Sequence, residues 1–319
     1  MNLPTPSRPD SADPRAVSVV IPAFNYAHYL PQAIASVLAQ THGALELLLV
    51  DDGSTDGTRA VVAAISDPRL RYVWQENAGL SAARNTGIRE ARHPFIAFLD
   101  ADDLWKPDFL ATVLRQFAAL PEEFAAVATG TIRMAASGLP STAPGYNASH
   151  TCELTVRDFC LRNQPLSSSI VLKRRVFAEC GGFDTTLRSS EDRDMWIRLT
   201  ARGHRFYLLG EPRACIRRHP QNMSKNAARM KQNSQRVLTR AWCHGVVSRL
   251  ALPFWLRAFA IHYALAAWTH FDDGLRARAL LYLFTSVALW PFFLHPRRYY
   301  ERPLFRLRAL AHFLLPRRA

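Results

Sequence analysis

Phe95-Ile96-Ala97-Phe98-Leu99-Asp100-Ala101-Asp102-Asp103 is an apolar run closed by an acidic cluster. Five apolar residues in a row read as a short strand buried on both faces. A buried strand cannot hold bare charges. The three carboxylates therefore lie just past its carboxyl end, where the sheet opens to solvent. Asp100 and Asp102 are two residues apart, so both can converge on one hard cation. A divalent ion held by one or two protein carboxylates keeps coordination positions for phosphate oxygens. The stretch points to a metal–diphosphate site. The plain structural alternative is a solvated acidic turn that caps the next helix.

The alternation continues upstream. Val17 to Pro22 is an apolar, β-branched first strand. His28 to Gln40 has apolar residues at helical spacing (Leu30, Ala33, Ile34, Val37, Leu38). Leu45 to Val50 is a second strand, Asp56 to Ile65 a helix with Ser54 or Asp56 as a plausible cap, and Leu70 to Trp74 a third strand. Ala78 to Ala91 is a third helix before the strand at Phe95 to Leu99. Strands alternating with helices at this spacing predict an α/β fold with a mostly parallel sheet and helices on both faces. Downstream, Pro107 to Leu120 reads as a helix and Phe124 to Met134 as a strand. Residues 135–150 read as a surface loop, Ser167 to Leu172 as a strand and Glu191 to Ala201 as a helix. Arg205 to Leu209 and Ala214 to Arg218 read as two short strands. Strand one is followed by Pro22-Ala23-Phe24-Asn25, which lacks the glycines of a dinucleotide fingerprint, so no dinucleotide cofactor is expected.

In such a sheet, ligands bind beyond the carboxyl ends of the strands. Four strand ends here carry polar or aromatic groups: Pro22 to Asn25, Asp51-Asp52, the segment Asn77 to Asn85 with Arg84, and the acidic stretch. A nucleotide needs a flat surface for its base, a polar partner for the base edge and a cation for its diphosphate. Phe24, Asp52 and a carboxylate-bound metal can supply these, and Arg84 can donate to base or phosphate.

Taken in order, Val17-Ser18-Val19-Val20-Ile21-Pro22-Ala23-Phe24-Asn25, Val50 to Thr58, Asn77 to Asn85 and Leu99-Asp100-Ala101-Asp102-Asp103 resemble the inverting family 2 glycosyltransferases, over about residues 17–225. The resemblance implies a GT-A fold and a nucleotide-sugar donor, with a UDP-sugar first by family frequency. It implies that Asp52 contacts the base, with Pro22 and Phe24 beside it. It places Arg84 near base and phosphates, Asp100 near ribose and metal, and Asp102 as main ligand of Mn or Mg. Gly181-Gly182-Phe183-Asp184 and Ser190-Glu191-Asp192-Arg193-Asp194-Met195-Trp196 resemble the acceptor-side motif. Asp192 is then the catalytic base, with Glu191, Trp196, Gly182 and Phe183 on the acceptor side. A helix dipole would keep its pKa low. Helix-terminal preference is the plain alternative for Glu191 and Asp194, and for Asp51 and Asp103 it is helix capping or a hydrogen bond to a residue that itself holds the ligand. His219, in Arg217 to Ser224, is expected either as a metal or diphosphate ligand or as a structural histidine. A sugar nucleotidyltransferase would share the fold, but it needs a glycine-rich phosphate loop with Lys or Arg after strand one, which Phe24-Asn25-Tyr26 is not.

The chain has 319 residues, 49% of them hydrophobic, enough for one large or two modest domains. The formal charge is +14, unevenly spread. From Arg240 on, 12 Lys/Arg face 3 Asp/Glu, a net of +9, which leaves +5 for residues 1–239. Residues 251–268 and 279–294 are apolar, but the second is uncharged for only 16 residues, short of a bilayer span of roughly 20. Arg276, Arg278, Arg297 and Arg298 flank it with Trp290, Tyr299 and Tyr300. Such flanks suit a helix lying in an anionic membrane surface; a helical subdomain packed on the catalytic domain is the alternative. The expected organisation is a disordered tail at 1–15, a glycosyltransferase domain at 16–225 and a helical basic region at 226–319. The five cysteines are scattered and fit buried thiols. With no apolar leader at the start, the expected location is cytoplasmic, at the cytosolic face of a membrane. The expected acceptor is a glycan or a lipid-linked acceptor. A basic tail without a recognised nucleic-acid module makes a nucleic-acid partner the weaker alternative.

Overall fold

The computed structural model describes residues 13–138, 151–162, 165–292 and 305–314. The chain starts with alternating elements: β1 (Val17–Ala23), α1 (Leu30–Leu38), β2 (Leu45–Asp51), α2 (Thr58–Ala63), β3 (Leu70–Trp74), α3 (Leu80–Glu90) and β4 (Phe95–Phe98). Then follow β5 (Leu104–Trp105), α4 (Phe109–Ala119), β6 (Phe124–Ala135), β7 (Cys152–Leu154), α5 (Val156–Leu161) and β8 (Ile170–Lys173). After them come α6 (Arg175–Cys180), α7 (Glu191–Ala201) and β9 (Arg205–Arg218), and the helices α8 (Ala227–Cys243), α9 (Leu252–Asp272), α10 (Arg276–Leu289) and α11 (Phe305–Leu314).

The sheet has strand order β3-β2-β1-β4-β8-β6-β9-β5, with β7 paired to β9. β3, β2, β1 and β4 run parallel, and β8 enters antiparallel between β4 and β6. β6 and β9 are parallel, so β6 and β9 run in the direction of the first four strands. The carboxyl ends of β1, β2, β3, β4, β6 and β9 therefore share one rim. This is a GT-A-like fold, a mixed α/β sheet with flanking helices and a helical C-terminal region.

The strands form where the sequence supplies runs that can be buried on both faces. Every residue of β1 and β2 is buried. Glu46 in β2 is tolerated because its carboxylate accepts from Ser18 Oγ at 2.7 Å, Arg71 Nη1 at 2.8 Å and the Arg92 N–H at 2.8 Å. Pro22 lies in a central strand without breaking a ladder. Pairing with β4 stops at Val20, so the missing N–H falls where no partner is left. In α3, Gly87 lets the helix lie against β1: a Cβ there would sit 2.3 Å from Val20 Cγ1.

Some elements differ from the sequence reading. Arg205 to Arg218 is one strand, not two; register shifts on both sides of the Gly130–Pro212 pair pass over Gly210, Glu211 and Arg213. Ser167–Ser169 form a single 3-10 turn, and the strand starts at Ile170. β5, β7, α5 and α6 are too short for periodicity to show. Residues 139–150 of the expected loop, most of the expected 1–15 tail, and Arg297, Arg298, Tyr299 and Tyr300 lie outside the described residues. None of the five cysteines is in a disulfide; Cys160 and Cys180 are buried as expected, whereas Cys152 and Cys215 are half-buried and Cys243 is exposed.

The chain divides into two compact units. One comprises the described residues within Met1–Thr155 and Gln164–His219; the other, those within Val156–Asn163 and Pro220–Ala319. In the second unit, Ala267 and Phe271 of α9 pack with Ala279 and Leu283 of α10 and Ala309 and Phe313 of α11. Among the described residues, no helix is long and apolar enough to cross a membrane.

Candidate active site

The rim gathers residues from six segments. At the end of β1, Phe24 is exposed and Asn25 adopts a left-handed φ of 59°. Its amide donates to Ser54 Oγ at 3.0 Å and its Oδ1 accepts from the Thr55 N–H at 2.8 Å, fastening this loop to the turn after β2. Asp51 is a turn residue: it accepts from the Ser54 N–H at 2.8 Å and from Tyr72 Oη at 2.6 Å.

Asp52 is buried and accepts from Gln75 Nε2 at 2.6 Å and from the Ala78 and Gly79 N–H groups at 2.9 and 2.8 Å. A carboxylate has about four acceptor positions. Asp52 thus organises the 75–79 turn and keeps one position for anything else.

Arg84 reaches from α3 into the middle of the rim and is 2% exposed. Its Nη2 donates to Asp100 Oδ1 at 2.7 Å and its Nη1 to Glu191 Oε1 at 2.6 Å. The guanidinium stands 5.4 Å from the centre of the Phe183 ring. Burial acts to lower its pKa, but the Asp100 and Glu191 charges outweigh it and raise it. Arg84 therefore joins the acidic stretch to the Glu191-Asp192 pair. Its two terminal nitrogens face carboxylates rather than an open phosphate position.

The acidic stretch separates into three roles. Asp100 has the most exposed side chain of the three, at 37%, and its N–H donates to Ser168 Oγ at 3.1 Å. Asp102 Oδ2 lies 2.8 Å from His219 Nε2. Asp103 is buried and accepts from the Arg217 N–H at 2.9 Å; it clasps β9 and caps no helix. Burial, then the charge of Asp100, raises the Asp102 pKa; burial, then Asp102 and Asp100, raises that of Asp103 well above the usual range. Tyr26 is pushed up by burial and by the same acids. This crowding of negative charge, built from hard oxygen donors, suits Mg or Mn. Among the described residues, no group of three or more His, Cys, Asp and Glu could hold a metal by itself. Asp102 and Asp100 would be the protein's share, with His219 orienting Asp102, as outer partners of metal ligands commonly do.

On the other side, α7 starts at Glu191 after Ser190, whose φ is 60°. Asp192 is buried, and its Oδ1 accepts from the Arg193 N–H at 2.7 Å. The expected low pKa is corrected. Burial, then the neighbouring Glu191 charge, pushes Asp192 up to about 7, against the lowering effect of Arg84. A helix-terminal dipole stabilises a carboxylate by roughly 1 kcal/mol at a surface, which burial exceeds. Asp194 pairs with Arg198 at 2.8 Å, and Arg198 also donates to the Cys180 and Gly182 carbonyls.

Of the other residues expected on the acceptor side, Trp196 and Phe183 are buried and Gly182 is half-buried. Trp196 is 0% exposed and its Nε1 donates to the Pro165 carbonyl at 2.9 Å, so it is a core residue. Phe183 is buried edge-on against Phe98 and Trp196. Gly182 makes room for Asn85, whose Oδ1 would lie 2.2 Å from a Cβ there. Asn85 accepts from the Phe183 N–H at 2.7 Å and donates to its carbonyl at 2.9 Å. These residues hold α7 in place. The sequence reading missed Asn85, Ser168 and Arg217. Arg217 donates through Nε to the Asp102 carbonyl at 2.7 Å, through Nη1 to the Ala136 carbonyl and through Nη2 to Gln32 Oε1. The arginine signal lay in the quoted motif Arg217 to Ser224, but its partners come from distant segments.

Comparison with known proteins bears on the family and the fold. The family model described as Glycosyl transferase family 2 matches residues 18–149. The Bacillus subtilis protein TuaG, named for a glycosyltransferase role in teichuronic acid biosynthesis, is 32% identical over 215 residues, covering 66% of this chain and 82% of TuaG. The Escherichia coli protein WfgD, named UDP-Glc:alpha-D-GlcNAc-diphosphoundecaprenol beta-1,3-glucosyltransferase, is 45% identical over 94 residues, 29% of this chain and 37% of WfgD. The match to an uncharacterized glycosyltransferase of Nostoc spans only 32% of that relative. Among solved structures, the mannosyltransferase PcManGT of Pyrobaculum calidifontis, in complex with GDP-Man and Mn2+, superposes with a TM-score of 0.65 at 21% identity, over 97% of this chain and 84% of that one.

Proposed function

The chain belongs to glycosyl transferase family 2, and from that premise we propose that it is a metal-dependent inverting glycosyltransferase. It moves a sugar from a nucleotide-diphosphate sugar, a UDP-sugar first, to a hydroxyl of a glycan or lipid-linked acceptor in cell-surface polysaccharide synthesis. The observation that carries this reading is the Arg84 bridge, which ties donor-side Asp100 to acceptor-side Glu191 beside Asp192.

Pro22 and Phe24 border the base, and Asp52 offers its remaining acceptor position to the base edge. Asp102 and Asp100 would hold a divalent cation, which when bound neutralises charge on the leaving diphosphate. Asp192 takes the proton of the acceptor hydroxyl as its oxygen attacks the anomeric carbon. Attack opposite the diphosphate forms the new C–O bond as the old one breaks, so the configuration inverts. With a pKa of about 7, Asp192 is matched to base work near neutral pH. Direct displacement uses no nucleophilic Ser or Cys. The names of WfgD and TuaG support a cell-surface acceptor, and that of WfgD a UDP-sugar and a lipid diphosphate. The basic helical unit would hold the protein peripherally at the cytosolic membrane face. A thermal-shift screen of nucleotide sugars with Mn2+ tests the donor reading. UDP-sugars should raise the melting point only with the metal, and NMR of the product should show inverted anomeric configuration. Retention of configuration, or no stabilisation by any nucleotide sugar, would overturn it.

A further inference from the structure

Helix α10 is apolar on two opposite faces. Its inner face is settled: Ala279 and Leu283 are buried with Ala267 and Phe271 of α9, and Ser286 Oγ donates to the Ala260 carbonyl at 2.7 Å. At helical spacing on the other side stand Ala277, Leu281, Phe284 and Ala288, all exposed, with Val287 beside them. Leu281 is 60% exposed, Phe284 59%, and Phe292, just beyond the helix, 67%. Arg306 donates to the Ser286, Trp290 and Phe292 carbonyls, so this end of the face is fastened to α11. A surface helix ordinarily turns a polar face outward, whereas the outward side of α10 carries Leu281, Phe284 and Val287, exposed among the described residues.

The charge identifies what covers the other side. From Gly274 to the end there are nine arginines (276, 278, 297, 298, 302, 306, 308, 317 and 318) and one acid, Glu301. Arg276 and Arg278 are exposed at the start of α10 itself. A second copy would bring the same positive charge to the contact, whereas anionic headgroups complement it. No described helix can cross a bilayer, so the fit is a helix lying in the interface, apolar side chains down and arginines at headgroup level. We infer that the Leu281–Phe284–Ala288 face of α10 docks on the surface of an anionic lipid bilayer. This deepens the peripheral-membrane part of the proposed function and rests on it.

Flotation of the full chain with phosphatidylcholine vesicles, with and without phosphatidylglycerol, tests the inference. The wild type should float with the anionic vesicles and partition at least ten-fold less into neutral ones. The double variant Leu281→Glu/Phe284→Glu should lose at least ten-fold in partition at an unchanged melting point. For the unmodified chain, quenching of tryptophan fluorescence by brominated lipid reads insertion without any variant. If the double variant floats like the wild type, the face is wrong while the membrane reading stands. Absence of wild-type binding and quenching sinks both. A wild-type dimer that the double variant dissociates, without lipid binding, would make the face a self-association surface and overturn the inference.

Discussion

Replacing Asp192 by Asn should make this protein more stable at neutral pH while it stops transferring sugar. Asp192 is pushed up to about 7 in the folded state, from an ordinary value of 3.8. A shift of about three units corresponds to roughly 4 kcal/mol of preference for the neutral form. The raised folded pKa fixes the sign. The stability linked to this group is fully present below about pH 3.8 and is lost as pH rises through about 7. Asparagine keeps the shape and cannot ionise, so the variant escapes that loss. Its advantage over wild type should grow by about 3 kcal/mol between pH 5 and pH 8 and level off beyond. Urea titrations of both proteins at those two pH values measure it. Transfer should fall by about 10²–10⁴-fold, the usual worth of a positioned base, while nucleotide affinity stays within about two-fold. In the wild type, kcat should lose about ten-fold per pH unit below an acid limb near 7. An acid limb near pH 4, or a stability difference independent of pH, would show instead that Asp192 is an ordinary solvated carboxylate.

Arg84→Met leaves buried Glu191, with Asp100, without their shared cation and should cost about 3–5 kcal/mol of stability; because Arg84 holds the Asp192 pKa down, the acid limb should also move to higher pH. In Asp102→Asn the Mn2+-dependent rise in melting point should disappear while the metal-free melting point changes little; an unaltered Mn2+ titration would remove Asp102 from the metal site. Gly87→Ala gains about 1 kcal/mol of helix propensity, but its methyl would sit 2.3 Å from Val20 Cγ1. Overpacking against a stiff β-branched side chain costs about 1–3 kcal/mol, so net destabilisation is expected in thermal melts. Asn85→Ala removes both hydrogen bonds to the Phe183 backbone and should cost about 1–3 kcal/mol, with transfer falling more than donor binding because the segment leading to α7 loosens.

The mismatches between sequence and structure have a common physical cause. Trp196 and Phe183 carry the same residue types whether they face a sugar or a core, and only burial distinguishes the two. Asp192 at a helix start invited a dipole argument, yet its pKa is governed by desolvation and by Glu191, which depend on what packs over the helix. Ser168 and Asn85 act through hydrogen bonds to backbone far away in sequence, for which local pattern has no signal.

Local order is legible in the chain alone: apolar runs that must be strands, helical spacing between them, and polar groups at strand ends. Those follow from side-chain periodicity and the cost of burying charge, both readable within a window of a few residues. Four such segments in order also gave the family. The tertiary structure decided which charges meet. Arg84 and Glu191 are 107 positions apart, and Asp103 and Arg217 are 114. Their contacts exist because six parallel strand ends are brought to one rim. The electrostatic character of the site, the Asp192 carboxylate raised toward neutrality and an arginine joining two acidic segments, arises only when packing buries these groups.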